Sequence, residues 1–529
     1  MRSAPAEAFI WFLFSVPCLF CAHPTSAQEK AVLPQTLNVL EFGADPAGKQ
    51  DSATPIEAAI SAACAKSKAV SPRTIHIPPG SYSISHTINI SCDDLSIEGS
   101  GKGVTTLFPT SSGDVFFVKN NEKSPRLYSV NFRDFQIYRT DDPKSGAGIH
   151  YLNVVGGNID HISVAGQYIG IEIESSLSLY FNDVNPGGNN KSEGSRLWWV
   201  HRSGPDGDNP SENFVVNTNS RAQQRGTYTY GILIQDTDGF NMANYHVGFT
   251  KGPALEVKSQ YPGDVAVGLT FSNGGFDEAQ YCIHSTRAPG DTGNRGAWSF
   301  NGVLCELSDL DGFYNDDPRL TNVIAIGSAF FLNGRHGLNL SAGSGFKLGQ
   351  SIFSANNREN HGGDHVMLSG TVTDVNLDGS SFVRSDGRNP VDYDVVLADR
   401  ADQISVQDVK HAGATKGDID SHGSGQYIAL SAVYSGRSTT LGADRLALAG
   451  TTPPIGGRRL EAGTCAAGIA VVASAQPSMA AIASPAGTDA GDGFQIRAFV
   501  SAPGAVTVKV CAISSATPVT TRYNVRVLE

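Results

Sequence analysis

The chain has 529 residues, of which 40% are hydrophobic and 17% charged, with 58 glycines, 4 methionines and a net charge of −12. That much apolar material excludes a disordered chain, and neither a collagen nor a heptad period is present. The acidic balance excludes a generic nucleic-acid binder, which would carry a basic stripe, and the many glycines favour short strands and turns over long helices.

Residues 1–27 have the layout of a secretory signal peptide. Arg2 precedes an apolar run over 9–22, and Thr25 and Ala27 occupy the −3 and −1 positions before Gln28. The run is short for a membrane span and contains Pro17. No later stretch is apolar enough to span, so the mature protein is expected to be secreted or periplasmic, with no membrane partner. Cys18 and Cys21 leave with the leader. Cys64, Cys92, Cys282, Cys305, Cys465 and Cys511 remain, and an even number in an exported chain reads as disulfides. Proximity in sequence favours Cys64–Cys92, Cys282–Cys305 and Cys465–Cys511. None has the C-x-x-C spacing of a zinc site.

Asp51-Ser52 is a helix-start signal before an Ala-rich segment, 55–66. Apolar alternation then marks short strands at Ile75, Ile77, Tyr82, Ile84, Ile88 and Ile90, with a turn at Pro78-Pro79-Gly80. Further on the sequence repeats. Asn273-Gly274-Gly275-Phe276-Asp277-Glu278 aligns with Asn301-Gly302-Val303-Leu304-Cys305-Glu306 at a spacing of 28, and Asn244 aligns with Asn273 at 29. Similar apolar patterns recur near 130–137, 159–164, 181–184, 324–330, 346–353, 375–382 and 404–409. Such a period signals stacked coils, because one coil cannot bury its own core. Polar insertions at 186–225, 288–295 and 309–318 break the rhythm, and in solenoids these tend to crowd one face. The period fades near Tyr427. A Gly/Ala/Thr/Pro-rich linker is expected over 431–460, followed by a small antiparallel β-sandwich over 461–529.

The block 37–107 resembles the opening of the pectate lyase-like superfamily, which includes rhamnogalacturonase, polygalacturonase-like and tailspike enzymes. That family begins V-x-x-[FY]-G-A-x-x-x-G-x-x-D-[ST], here residues 39–52 with Phe42, Gly43, Ala44, Gly48 and Asp51. Its strand ending in [IV]-P-x-G-x-Y is matched by Ile77-Pro78-Pro79-Gly80-Ser81-Tyr82, and L-x-I-x-G-x-G by Leu95-Ser96-Ile97-Glu98-Gly99-Ser100-Gly101. The resemblance implies an all-β fold: a right-handed parallel β-helix over 35–430, an N-terminal capping helix and the small C-terminal sandwich. It implies an extracellular polysaccharide as partner without choosing between hydrolase, lyase and epimerase. A homotrimer is the assembly that would fit a tailspike-like relative.

Equivalent residues on adjacent coils lie about 4.8 Å apart. On the 28-residue alignment, Glu278 falls against Glu306 with Asp277 beside it. Paired carboxylates suit glycosidic hydrolysis, one kept protonated as the acid and the other acting as base or nucleophile. Glu278 and Glu306 are therefore the first candidates, followed by Asp277, Asp236, Asp238 and Asp309. Each alone reads more simply as a solvated turn residue, so the clustering over 236–317 carries the argument. Close-spaced aspartates also suit calcium, but no complete ligand pattern appears, and neither cofactor nor metal is expected. A lyase would need a base and a cation facing a uronate carboxylate, for which His284 with Arg287, Arg335 with His336, and His361 with His365 are candidates. The polygalacturonase set of paired Asp, Gly-His-Gly and Arg-x-Lys is missing. Trp198 and Trp199, with His201 and Arg202, are candidates to line a sugar subsite, as are His284 and Arg287. The expected function is cleavage of internal glycosidic bonds by carboxylate hydrolysis. The rivals are β-elimination, epimerisation and non-catalytic glycan binding.

Overall fold

The computed structural model describes residues 36–528, apart from 66–72, 121–125, 384–389, 413, 426, 429–432, 435–448 and 473–474. The expected leader lies outside the described residues. The rest is all-β: a parallel β-helix capped by the helix Ala53–Cys64, followed by two small antiparallel sheets.

Each coil contributes to two long parallel sheets. One is built from strands of up to 12 residues, such as Thr237–Gly248, Ala266–Asp277 and Arg295–Glu306. The other uses shorter strands, among them Ala147–Leu152, Ile169–Glu174, Arg196–His201 and Ile283–Ser285. Alternation sends every second side chain inward, where like stacks on like. In the long-strand sheet, Ile97, Phe132, Ile159, Phe181, Val215, Met242, Phe271 and Phe300 pair in unbroken register. All eight are buried. A second inward column stacks Phe330 on Phe353 and Phe353 on Phe382, each with centroids 5.3 Å apart. In the short-strand sheet, Ile149, Ile171, Trp198, Ile232, Leu255, Ile283 and Phe313 do the same.

The long strands turn corners through left-handed residues. One corner column runs Asn217, Asn244, Asn273, Gly302, with φ between 51° and 60°. Asparagine and glycine are the residues that reach this region at least cost. The asparagines also form a ladder, Asn217 Nδ2 donating to Asn182 Oδ1 at 2.8 Å and Asn244 Nδ2 to Asn217 Oδ1 at 3.3 Å.

All three expected disulfides form: Cys64–Cys92, Cys282–Cys305 and Cys465–Cys511. The first ties the capping helix to the early coils. The C-terminal unit has its own core, including Val506, Val508, Val510 and Tyr523. Its two sheets hold three strands each. The strand Ala449–Thr451, inside the stretch expected to be linker, pairs with Tyr523–Leu528 and so belongs to this unit.

Phe353 sits between two stacked rings, with no exposed surface. Phe353→Ala is expected to cost about 3–5 kcal/mol, read as a lower urea midpoint by circular dichroism. An unchanged midpoint would show that the stack does not hold the late coils together.

Candidate active site

The register corrects the expected carboxylate pair. Asp277, not Glu278, is the Cα partner of Glu306, and the true offset between these coils is 29. Asp277 and Glu306 each end a long strand on neighbouring rungs, one residue beyond the inward Phe276 and Cys305. The Cys282–Cys305 bond braces the strand end directly before Glu306. Glu278 is the next residue, at a left-handed corner with φ of 44°, in a column with Phe249 and Leu307. Its backbone N–H donates to the Glu306 carbonyl at 3.3 Å.

His246, two rungs before Glu306, completes the group. Its Nε2 lies 2.9 Å from Asp277 Oδ1, and its Nδ1 lies 3.3 Å from Asn219 Oδ1. Its own strand leaves room because it ends in Gly248, the partner of Asp277: a Cβ there would come within 1.8 Å of Asp277 Oδ1. Burial pushes the Glu306 carboxyl above the usual range, and the charges of Asp277 and Glu278 push it further, against His246. The arrangement is a half-buried acid beside a carboxylate paired with an imidazole. Arg225 reaches over from an earlier coil to pair with Asp309 and donates to the Leu307 carbonyl at 3.3 Å. His246, Asn219 and Arg225 escaped the sequence reading. Carrying the 29-residue offset of Asn244 and Asn273 forward would have set Asp277 against Glu306.

Other expected residues lie elsewhere. Asp236 and Asp238 stand at the opposite end of the strand that leads to Gly248. Asp238 is exposed, whereas Asp236 is buried, accepts from the Val265 N–H at 2.7 Å and lies beside Asp264, which Arg202 holds at 2.6 Å. Trp198 cannot meet a sugar: it points inward, fully buried, and donates to Ser220. Trp199 points outward, stacked at 3.7 Å on His201 with Arg196 4.1 Å from its ring centre. His284 packs against both Tyr281 and Tyr314 and contacts Glu256 at 2.7 Å. Arg287 donates to the Asp291 carbonyl at 2.6 Å. Two of the lyase candidates are core residues: His336 and His365 are buried, and burial lowers the His365 pKa to about 3. Arg335 is clamped by Asp311. Among the described residues, no helix is long and apolar enough to cross a membrane.

Residues 36–203 match the family described as rhamnogalacturonase A/epimerase, pectate lyase-like. The chain resembles the pectate lyase-like superfamily in sequence and in fold. No curated protein matches it in sequence. Among solved structures it is similar to a mutant tailspike protein of E. coli bacteriophage HK620, with 9% identity, 93% of each chain covered and a TM-score of 0.60. It is also similar to the Dettilon tailspike protein, with 12% identity, 93% of this chain and 94% of that one covered, and a TM-score of 0.54. A mannuronan C-5 epimerase A-module of Azotobacter vinelandii aligns at 17% identity over 76% of this chain and 100% of its own, with a TM-score of 0.46. Identities this low show a shared fold alone. Asp277 and Glu306 lie beyond the family match.

Burial raises the Asp236 carboxyl to about 6, helped by Asp264 and opposed by the Val265 N–H and Arg202. The folded state therefore keeps this proton to higher pH than the unfolded state, and stability falls as pH rises from about 4 to 6. Asp236→Asn keeps the bond to Val265 and removes the charge. It is expected to gain about 2–3 kcal/mol over the natural protein at pH 7 but almost nothing at pH 3.5. Melting temperatures at the two pH values check this; an equal effect at both would refute it.

Proposed function

We propose that this chain is an exported enzyme that hydrolyses internal glycosidic bonds of an extracellular polysaccharide, with Glu306 as general acid and Asp277 as the second carboxylate. The observation that carries the reading is the Asp277–Glu306 pair on adjacent rungs. The two environments differ: Glu306 is raised by burial and by the neighbouring carboxylates, while Asp277 lies 2.9 Å from the His246 imidazole. A protonated Glu306 can donate to the glycosidic oxygen as the bond breaks. The Asp277 carboxylate can then act on water or on the sugar carbon. His246 is a positioning residue that fixes Asp277 through Nε2. A stack of coils suits a chain-like substrate, since successive rungs meet successive sugars. Export is supported by the leader-like residues 1–27 and the three disulfides.

The test is a panel of neutral and uronate-containing polysaccharides, read for reducing ends and for the absorbance of an unsaturated uronate together. Reducing ends without absorbance are expected. Glu306→Gln and Asp277→Asn are each expected to lose at least about 100-fold in kcat, while Glu278→Gln stays near the natural rate. Absorbance rising with cleavage would replace hydrolysis by elimination, and glycan binding without shorter products would make the chain a binding protein. The pH profile adds an independent check. Activity should fall as pH rises through the raised Glu306 pKa. His246→Gln removes a group that lowers that pKa and should move the alkaline limb upward.

A further inference from the structure

The outer face of the short-strand sheet holds a second group of ionisable side chains, remote from Asp277 and Glu306. Glu172 and Glu174 are two residues apart on the strand Ile169–Glu174 and so share one face. His150 is the Cα partner of Glu172, and His201 is the Cα partner of Glu174. Three successive rungs thus bring two imidazoles and two carboxylates together. Their side chains are only 6–17% exposed, although they point away from the core.

The contacts have a common direction. His150 Nε2 lies 2.7 Å from Glu174 Oε2 and 3.7 Å from Glu172 Oε1, and His201 Nε2 lies 3.0 Å from Glu172 Oε1. Both Nδ1 atoms are engaged from outside the group: His150 with Asp114 at 3.0 Å and His201 with the Arg202 carbonyl at 3.0 Å. Each Nδ1 is thereby set as a donor, so each Nε2, once it gives up its proton, turns a lone pair inward. A carboxylate or carbonyl on the far ring nitrogen is the regular second shell of a metal-ligating histidine. His284 shows the contrast: its Nδ1 faces Glu256 and its Nε2 has no partner. Among the described residues, the only basic groups in ion-pair contact with Glu172 and Glu174 are these two imidazoles. A divalent cation would take the place of the protons shared between the rings and the carboxylates and supply the balancing charge in a largely buried place.

We propose that His150 Nε2, His201 Nε2, Glu172 and Glu174 form a site for one divalent transition metal of the zinc class, with Asp114 as its second shell. Metal–nitrogen and metal–oxygen bonds of about 2.0–2.2 Å set tetrahedral ligand atoms roughly 3.3–3.6 Å apart; the three imidazole–carboxylate gaps of 2.7, 3.0 and 3.7 Å lie around that range, and Glu172, Glu174 and His201 offer ligand atoms all within 4.8 Å of one another. Mixed imidazole and carboxylate donors select zinc, cobalt or manganese over calcium. Binding removes any proton held between the rings and the carboxylates and pins three rungs together.

The full-length mature protein, stripped with chelator and desalted, should take up one equivalent of Zn²⁺, and of Co²⁺ with the visible spectrum of a four-coordinate site. Excess Ca²⁺ should not compete. His201→Gln and Glu172→Gln should each lose the Co²⁺ spectrum, while His284→Gln keeps it. Should a ligand variant fail to fold by circular dichroism, Asp114→Asn leaves all four ligands in place and should weaken Zn²⁺ binding about 10–100-fold. Failure of the natural protein to bind Zn²⁺ or Co²⁺ stoichiometrically would overturn the site, as would a Co²⁺ spectrum that survives His201→Gln. Neither result depends on whether Asp277 and Glu306 cleave a polysaccharide.

Discussion

Register between parallel rungs is the constraint on which the rest of the structure depends. Most strands in a coil satisfy their backbone N–H and C=O groups through the coils above and below, so each coil is held by its neighbours. Once the register is set, the apolar column from Ile97 to Phe300 follows, because inward residues of successive coils must land on one another. The functional geometry follows by the same rule. Asp277 meets Glu306, and His150 meets Glu172, only because their strands pair without slippage. A slip of one residue would turn each inward face outward. Register is therefore protected by the core rather than by the polar residues that use it.

The fold was legible in the sequence because its signals are local or repeated. The Phe42-Gly43-Ala44 segment, the Pro78-Pro79-Gly80 turn and the six later cysteines all read correctly. The carboxylate pairing did not, for a physical reason at the corners. Asn273-Gly274 looks like Asn301-Gly302, but the left-handed position is filled by Asn273 in one coil and Gly302 in the next. Both residues tolerate positive φ, so identical letters sit one place apart and the alignment is short by one. The letters record what a corner accepts, and the ladder records where it is.

The two adjacent tryptophans misled in a related way. Side chains alternate along a strand, so Trp198 and Trp199 cannot serve one face together. Trp198 packs edge-on against Phe181 in the core, while Trp199 joins the outer face beside His201. Clustering in sequence was read as clustering in space, and in a strand the reverse holds for neighbours. The grouping of the outer-face histidines with Glu172 was hidden for the opposite reason. His150, Glu172 and His201 are far apart in the chain, and only the pairing of three short strands gathers them.

The partner of each buried carboxylate sorts structure from chemistry. Asp264 faces Arg202, Asp311 faces Arg335, and Asp317 faces Arg295 at 2.7 Å with both side chains fully buried. A guanidinium stays charged at any working pH, so it gives such a carboxylate a permanent counter-charge. These pairs secure the turns at the strand ends, and removing either member would strand a charge in the core. Asp236 shows that a raised pKa alone does not mark a catalyst, since it is shut away from solvent at the far end of its strand. Glu306 differs in kind. Its neighbours are another carboxylate and a histidine, groups whose own charge can change, and its strand ends at a half-open corner. Proton traffic needs both that ambivalence and that access, and among the carboxylates expected to be catalytic only the Asp277–Glu306 pair combines them.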